Sequence, residues 1–363
     1  MARNTSTGPR YAPRFEVTLD GTVLAEPGER IADLVVETTL DGADRFQFTL
    51  TDRLDAGRDG FRDLSWDRFS VGTDVRIDAG YGSDRSLTPL FAGRIGSVTA
   101  SFGHETGPAV EIAGYGLLAG LMDGTGCESW TGTTVGAVVK DVLSGSAFST
   151  VEVRDADIKR ERLLQHDQND YRFLAALAEA YGFDFHGRRE TVRFVPQGDG
   201  DAGGDPDTRL TYGDRLASVQ IRQSPDTTHT EVRAWDPDSV STTTATASAG
   251  DDGSGGAVSA TSAATSGAAG GGTGDDDATT FVVPSMSRRE AEAVADPAAE
   301  RLAGVPATAV GRADGEPSVQ AGATVELDGV GEHFGGRYRV TEATHRLGGD
   351  GYRTTFEAEE VSP

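Results

Sequence analysis

The sequence contains one strand–turn–strand pattern twice, about 250 residues apart, and this repeat most constrains the fold. The first copy begins Val-Gly-Thr-Asp-Val-Arg-Ile-Asp at Val71, and the second begins Ala-Gly-Ala-Thr-Val-Glu-Leu-Asp at Ala321. Each is followed by a Phe-x-Gly-Arg segment, at Phe91 and at Phe334. Apolar and polar residues alternate in both copies and glycines separate the runs, which is typical of paired β-strands. We therefore predict the same β unit twice.

The two copies can be aligned residue by residue. Gly72, Val75, Ile77 and Asp78 align with Gly322, Val325, Leu327 and Asp328, and Phe91, Gly93 and Arg94 align with Phe334, Gly336 and Arg337. The alignment predicts equivalent settings for Gly93 and Gly336. A looser correspondence matches Leu216, Ala217, Val219 and Ile221 to Ile31, Ala32, Leu34 and Val36, with Thr230–Trp235 as the expected partner strand.

After a polar arm (1–13), the first copy is predicted to contain about six strands and no helix. Turn dipeptides at Asp20-Gly21 and Asp41-Gly42 separate alternating apolar runs, which indicates hairpins. The alternating positions are Phe15, Val17, Leu19, Ile31, Leu34, Val36, Phe46, Phe48, Leu50, Val110 and Ile112. This pattern favours a small antiparallel barrel or sandwich over 14–122.

Helical spacing appears after residue 122. Thr133-Thr134 resembles a helix N-cap, and a second, clearer helix is predicted from Asp170 to Tyr181, with Asn169 or Asp170 as its cap and Gly182 as its end. The predicted buried helix positions are Val135, Val138, Val139, Val142, Phe173, Leu174, Leu177 and Ala178, and strands follow through Phe183, Phe185, Val192 and Phe194. We predict a compact α+β insertion over 123–208, with the second barrel over 209–363.

The second copy contains a segment of different composition. Residues 239–280 are almost wholly Ser, Thr, Ala, Gly and Asp, so we expect a mobile, solvent-exposed loop. Ser287 and Glu290 form a capping box for a helix predicted to reach Leu302, with a kink at Pro297.

The charge excludes one class of partner. A net charge of -25, from 58 acidic and 33 basic residues, argues against binding a nucleic acid backbone. A dense carboxylate surface suits a high-salt cytoplasm, where a Debye length of ~3 Å at ~1 M salt screens self-repulsion. We take a halophilic source as the working hypothesis, with an Asp-rich genome composition as the alternative.

The single cysteine and the chain ends give further expectations. Cys127 excludes an internal disulfide and a multi-cysteine metal site, and we expect it to be a small buried hydrophobe. No apolar run approaches the ~20 residues that span a bilayer, and Met1–Arg14 lacks the apolar region of a secretory signal. We expect a soluble protein made in the cytoplasm.

The residue inventory predicts no catalytic, cofactor-binding or metal-binding site. The histidines (His104, His166, His186, His229, His333 and His345) lack ligand spacing, and neither a nucleophile elbow nor a phosphate-binding loop is present. Asp155, Asp157 and Glu161 as an acid–base set, or Asp275–Asp277 as a calcium site, are better explained by a solvated acidic surface. Trp66, Trp130 and Trp235 are too scattered for sugar stacking and are expected in the core.

Three stretches follow one another in the order found in a known family. They are Phe91-Ala-Gly-Arg-Ile leading to Leu117–Leu121, Gln165–Phe185, and Gly336–His345 followed by Gly351–Phe356. Together they resemble the late control D proteins, the tail hubs of contractile phages and of related injection machines, which include the hub part of VgrG-type proteins. The resemblance covers about Arg14 to Val361.

This resemblance implies a trimeric baseplate hub. In that family, two barrels per chain in three chains make a ring of six, which joins a sixfold tail tube to a threefold spike. The fold class implied is mainly β with an α+β insertion: two tube-like antiparallel β-barrels related by duplication, plus a small α/β domain. Expected partners are two further copies, a tail tube protein, a spike protein and other baseplate proteins. Because VgrG-type chains continue into a spike and this sequence ends at Pro363, we expect a separate spike protein.

Two alternatives remain open. A tail-associated hydrolase of the target cell envelope would need carboxylates or metal ligands that converge in a cleft. A β-rich surface-binding module would more often carry a secretion signal and fewer helices. The expected location of a hub is a virion tail baseplate or an injection-system particle.

Overall fold

The main sheet of the molecule is built from both copies of the repeat. In the computed structural model, the described residues are 12–24, 31–51, 54–55, 60–61, 68–81, 87–103, 107–197, 205–223, 229–236, 241–248, 259–263, 278–283 and 307–361. The strands of the first copy are β1 (Pro13–Leu19), β2 (Thr22–Val23), β3 (Ile31–Thr39), β4 (Arg45–Thr51), β5 (Leu54–Asp55), β6 (Gly60–Phe61), β7 (Asp74–Tyr81), β8 (Thr88–Gly103) and β9 (Gly107–Gly116).

The remaining elements follow in chain order. A 3-10 helix (Leu117–Leu121) leads to β10 (Gly126–Thr134), α1 (Val135–Leu143), β11 (Thr150–Val153), β12 (Lys159–Gln168), α2 (Asp170–Tyr181), β13 (Phe183–Arg188) and β14 (Thr191–Pro196). Then come β15 (Thr208–Thr211), β16 (Leu216–Arg222), β17 (His229–Asp236), β18 (Ser241–Ser248), β19 (Ser259–Ala263), β20 (Ala278–Val283), β21 (Thr308–Asp314), β22 (Thr324–Asp328), β23 (Gly336–Gly348) and β24 (Gly351–Glu360). None of the described helices is long and apolar enough to cross a bilayer.

The two copies have the same strand order. In the first, neighbouring strands follow the order β3-β4-β9-β8-β7-β1, and in the second β16-β21-β24-β23-β22-β15. Each strand thus occupies the place of its counterpart, except that β15 lies parallel to β22 whereas β1 is antiparallel to β7. The predicted mainly β, duplicated fold is confirmed. Its two curled half-barrels are continuous with each other, because β23 also pairs with β3.

Hydrogen bonds at equivalent positions show how closely the two units match. The Gly72 amide donates to the carbonyl of Ile95 at 2.7 Å, and the Gly322 amide donates to that of Val340 at 2.8 Å. Both glycines have a positive φ, +93° and +77°, which favours glycine in this turn. β8 contains a bulge just after Ile95, and β23 contains one just after Val340. Gly72 and Gly322, and likewise Ile95 and Val340, are therefore equivalent.

The predicted alignment of the second strand of each unit is wrong by two residues. Gly93 lies opposite Val75, but the residue opposite Val325 is Tyr338, not Gly336. The two glycines also differ in setting: a Cβ on Gly93 would lie 2.1 Å from a carbonyl oxygen, whereas one on Gly336 would meet nothing within 4 Å. Because side chains alternate along a strand, a shift of two leaves every predicted face unchanged.

The looser correspondence at Leu216 is confirmed, but its predicted partner strand is wrong. β16 pairs with β21 as β3 pairs with β4, with a bulge at the same place in both pairs. Thr230–Trp235 instead lies in β17, which pairs with β18 and β20 in a separate four-stranded sheet. A sequence pattern favours the next strand along the chain as the partner. Here the strands of the four-stranded sheet come between β16 and its partner β21 in the sequence.

The prediction of a mobile loop over 239–280 is wrong for three segments. β18, β19 and the start of β20 are paired strands within it. Threonine-rich chain has a high β propensity, and pairing satisfies its backbone groups without a large apolar core. Several predictions lie outside the described residues: the Ser287–Leu302 helix with Glu290 and Pro297, His104, Trp66, and Asp275–Asp277.

The helices of the insertion form as predicted. Thr134 caps α1 by accepting a hydrogen bond from the Ala137 amide at 3.2 Å. Asn169 caps α2, and Gly182 ends it with φ +68°. Apolar side chains from both helices and from β13 and β14 form one core with the 3-10 helix, including Leu118, Val138, Val139, Phe173, Leu174 and Phe194. Val142, predicted on the buried face of α1, is only partly buried.

The two copies differ in the size of their core residues. β4 contributes Phe46, Phe48 and Leu50 to the first core, whereas the equivalent positions of β21 are Ala309, Gly311 and Ala313. A Cβ on Gly311 would lie 2.3 Å from the ring of Phe356, which fills this space. The copies therefore share a backbone but not a packing pattern.

Candidate assembly surface

The contact between the two copies is a strand pairing in the middle of the main sheet. Along one edge, β23 pairs throughout with β24. Along its other edge, the first half of β23 pairs with β22, and the second half pairs with β3 from Glu342 opposite Thr39 to Gly348 opposite Asp33. We call this β23–β3 pairing the internal junction. One edge of β23 therefore has two successive partners, one from each copy.

The internal junction excludes water on one face of the sheet. Leu34 and Val36 from β3 and Ala343, His345 and Leu347 from β23 are each at most 3% exposed. Leu347 belongs to the core of the first copy although it comes from the second. The tip of the β23–β24 hairpin thus completes the neighbouring half-barrel.

His345 is the buried polar group of the junction. Its Nδ1 lies 2.9 Å from the Tyr352 hydroxyl and 3.2 Å from that of Thr354, and its Nε2 lies 2.9 Å from the carbonyl oxygen of Val319. Because a carbonyl can only accept, Nε2 carries the proton and Nδ1 accepts. Burial lowers the pKa of His345 to about 4, so the neutral form is held.

The insertion holds the two copies together from one side. Arg339 of β23 forms a partly buried ion pair with Asp184 of the insertion. Arg188 Nε donates to Gln320 Oε1 at 3.2 Å, and Gln320 Nε2 donates to the Pro89 carbonyl at 3.0 Å. Gln320 thus links the insertion, the second copy and the first. These bonds connect the insertion to both copies.

Two buried titratable groups, Asp44 and His186, lie near the contacts between the insertion and the two copies. Burial raises the pKa of Asp44 to about 7, although its carboxylate accepts a hydrogen bond from the Thr39 amide at 3.0 Å. Burial and the nearby Arg339 lower the pKa of His186 to about 3, and its Nδ1 has no hydrogen-bond partner among the described residues. Shifted pKa values can mark catalytic groups. The groups around Asp44 and His186 are a backbone amide and arginines, which are typical of a packed contact between parts of a chain.

The opposite face of the main sheet is polar and exposed, and we call it the polar face. Cross-strand neighbours place acidic and basic side chains beside each other, as in the Arg45–Glu37 ion pair at 2.9 Å. Its exposed members include Arg94, Glu111, Tyr115, Val310, Arg312, Asp314, Glu342, Arg346, Arg353 and Glu357. The mixture of signs contrasts with the net charge of the chain.

A groove of about 710 Å³ lies where the polar face meets the insertion. Its lining includes Asp41, Tyr115, Met122 and Glu342. Asp41 accepts a hydrogen bond from the Tyr171 hydroxyl at 3.0 Å. The groove combines acidic side chains with Thr39, Arg45 and the aromatic Tyr115.

Two strand edges repeat the construction of the internal junction without a described strand beside them. Residues 97–103 of β8 correspond to 342–348 of β23, because both follow the equivalent bulges. β16 corresponds to β3. The apolar side chains of these edges are more exposed to solvent than those of the internal junction. Val219 and Ile221 are half-buried, and Phe102 is 65% exposed. We call them the β8 edge and the β16 edge. The sequence pattern predicts both strands but does not indicate which strands lie beside them.

The other residues considered from the sequence are not brought together. Cys127 is exposed, so the expectation of a buried hydrophobe is wrong; it lies on the two-stranded β10–β12 ribbon, with Sγ 3.8 Å from His166 Nδ1. Trp130 stacks on Phe173 at 5.4 Å and packs on the insertion core, as predicted. The acid–base candidates Asp155, Asp157 and Glu161 are all exposed. Within the described ranges, no cluster of three His, Cys, Asp or Glu could hold a metal ion.

Solved structures that share this fold include two tail proteins and a component of a secretion system. A tail protein from Neisseria meningitidis MC58 aligns over 96% of this chain and 97% of its own, with a TM-score of 0.65 and 15% identity. The 43 kDa tail protein of prophage MuSo2 from Shewanella oneidensis aligns over 97% of each chain, with a TM-score of 0.65 and 12% identity.

A third structure with a similar fold is that of a secretion-system component. It is an Escherichia coli protein described as a component of the type VI secretion system with structural similarity to the T4 tail proteins gp27 and gp5. It aligns over 95% of this chain and 77% of its own, with a TM-score of 0.57 and 15% identity. At such identities the likeness shows a shared fold. No curated protein matches the sequence. Residues 11–348 match the family Alg8_N, described as the Alg8 N-terminal domain, and the chain belongs to this family.

Proposed function

We propose that the chain is a structural hub of a contractile tail or of an extracellular contractile injection system, in which three chains form a ring of six half-barrels. The internal junction is the observation that carries the proposal. One chain contains two equivalent units joined edge to edge, so three chains would supply the six units of a ring. The fold shared with tail proteins and a type VI secretion component supports this role. The Alg8_N description names no activity.

Such a ring would present two symmetries. The units share strand order and bulges, so a partner that contacts the backbone of both meets a nearly sixfold surface. The side chains differ, as in Phe48 against Gly311, so a partner that contacts side chains meets a threefold one. We propose a sixfold tail tube protein on one face and a separate spike protein on the other, with further baseplate proteins around them. A VgrG structure solved in complex with PdpA aligns over 97% of this chain and 65% of its own, with a TM-score of 0.55 and 8% identity, and supports the proposal of a spike partner.

The proposed division of the chain follows the repeat. An N-terminal arm (1–13) precedes the first barrel (14–122), the insertion (123–208) and the second barrel (209–363). We propose that the protein is made in the cytoplasm and built into a tail baseplate or injection particle, and that its role is assembly rather than catalysis. The resemblance to the late control D proteins stays part of this proposal.

The test is the mass and symmetry of the purified chain. Native mass spectrometry and light scattering should give about three times the chain mass of 38.0 kDa, and electron-microscopy averages should show a threefold ring with six similar lobes. The measurements should include ~1 M KCl, because each chain has a net charge of -25 and salt screens the repulsion between chains. A stable monomer at all salt concentrations would contradict the proposal. A monomer that degrades polysaccharide or protein would instead support a tail-associated hydrolase.

A further inference from the structure

We infer that the ring closes through one strand pairing, in which the β8 edge of one chain lies antiparallel to the β16 edge of the next. This inference rests on the proposed ring and specifies the contact that forms it. The occupant of each edge is a second copy of this chain.

The backbone supports this pairing. The first half of β8 pairs with β7, as the first half of β23 pairs with β22. The second half of β23 continues along the same edge with β3, but among the described residues no strand continues along the β8 edge. Among the described residues, β21 is the only strand that pairs with β16, whereas β3, the counterpart of β16, is paired with a strand on both sides. Open edges of this kind attract further strands.

The exposure of the β8 edge points the same way. Val98, Ala100 and Phe102 occupy the positions of Ala343, His345 and Leu347. The three residues of the internal junction are at most 3% exposed, whereas Val98 is half-buried, Ala100 is exposed and Phe102 is 65% exposed. A neighbouring strand would remove this apolar surface from water, which is the main driving force for association.

The β16 edge complements it in size. Val219 and Ile221 are half-buried, whereas their counterparts Leu34 and Val36 are fully buried by β23. The core behind β16 also has smaller side chains than the core that receives Leu347, with Ala313 in place of Leu50. A larger Phe102 on the β8 edge therefore meets smaller residues on the β16 edge.

Equivalence to the internal junction sets the register between chains. Arg346 lies opposite Val35 in that junction, and their counterparts are Ser101 and Gln220. The paired residues on the polar face would be Thr99 with Arg222, Ser101 with Gln220, and Gly103 with Ser218. Those on the buried face would be Ala100 with Ile221 and Phe102 with Val219.

The register can be tested with engineered disulfides in a Cys127→Ser background, which is otherwise free of cysteine. Residues opposite each other in antiparallel strands have Cα atoms about 4.5–5.5 Å apart, within the usual range for a disulfide. The double variant Ser101→Cys, Gln220→Cys should give disulfide-linked dimers and trimers on oxidation, and no larger species. The control Ser101→Cys, Ile221→Cys places the two thiols on opposite faces of the sheet and should not cross-link.

The outcomes separate this inference from the proposed function. Light scattering before oxidation gives the mass of the oligomer, and so tests the ring independently of the strand pairing. A trimer that fails to cross-link at Ser101 and Gln220, or that cross-links equally in the control, overturns the pairing and leaves the ring standing. Absence of any oligomer overturns both. Cross-linked ladders beyond three chains show an open polymer and overturn closure.

A substitution tests the same contact without thiol chemistry. Phe102→Asp should weaken the association of the chains at least about tenfold, because a large aromatic side chain near the centre of a contact commonly dominates its affinity. Circular dichroism should show that the variant folds, since Phe102 is largely exposed. Tyr115→Ser, at an exposed aromatic residue of the polar face, is the matched control and should leave association unchanged. Unchanged association of Phe102→Asp would contradict the inference.

Discussion

His345 makes the internal junction sensitive to acid. Its neutral imidazole accepts from Tyr352 and donates to the Val319 carbonyl in a site that is 0% exposed. The pKa is lowered from 6.5 to about 4, so the folded state resists protonation while the unfolded state does not. The stability from this difference is complete above pH 6.5 and is lost as the pH falls toward 4.

The variant His345→Gln isolates this effect. At ~1.4 kcal/mol per pKa unit, lowering the pH from 7 to 4 should cost the wild type about 3 kcal/mol more of its free energy of unfolding than it costs the variant. Urea denaturation followed at both pH values gives the double difference, which cancels the many carboxylates common to both proteins. Equal losses in the two proteins would show that His345 is not held neutral.

Residue-level prediction from sequence succeeds where a local pattern decides the outcome. The caps Thr134 and Asn169 and the end of α2 at Gly182 depend on neighbours within a few residues. The role of His345 depends on a strand about 300 residues earlier in the chain, and the exposure of Cys127 depends on which face of a ribbon is covered. Neither follows from residue type or spacing.

At the scale of elements, the close approach of β8 and β9 can be tested at Gly93. A Cβ there would lie 2.1 Å from the Tyr115 carbonyl oxygen and 2.6 Å from the Phe91 ring. Gly93→Ala should therefore push the strands apart and destabilise the fold by about 1–3 kcal/mol, as overpacking does.

Gly120→Ala is the matched control for this substitution. A Cβ at Gly120 meets nothing within 4 Å, and the residue is absent from the positive-φ positions. Its free energy of unfolding should change by less than about 0.5 kcal/mol, as surface substitutions commonly do. Chemical denaturation of the two variants gives the comparison, and a Gly93→Ala variant as stable as the control would place β8 and β9 further apart than described.

Most strands are predictable, whereas some of their partners are not. Alternation and turn dipeptides indicate the β3–β4 hairpin and the equivalence of β16 with β3. They cannot indicate that β21 returns to β16 only after a separate sheet, or that β23 changes partners halfway along one edge. A period of two records which face a residue lies on, and it contains no information about which strand lies beside it.

At the scale of the whole molecule, the internal junction joins the two copies, whereas the equivalent β8 and β16 edges have no strand beside them among the described residues. Equivalent edges that are buried once within the chain are expected to be buried again between chains, because the same backbone geometry recurs at both places. The sequence alone predicts the repeat, but the two edges appear only when the strand order is known. The proposed ring therefore depends on the topology more than on any single motif.

Assembly should depend on salt in the direction set by the net charge. Each chain has a net charge of -25, so three chains in a ring repel one another at low ionic strength. Raising KCl from ~0.1 to ~1 M shortens the Debye length from ~10 to ~3 Å. The fraction of trimer and the melting temperature should therefore both rise, whereas an association driven by opposite charges would weaken. Light scattering and thermal unfolding across this range give the measurement, with sucrose at equal osmolality as the uncharged control.

The triple variant Asp155→Asn, Asp157→Asn, Glu161→Gln removes three exposed charges and should reach the same trimer fraction at lower salt. A trimer that dissociates as KCl rises would show that attraction between opposite charges, rather than apolar strand pairing, holds the chains together.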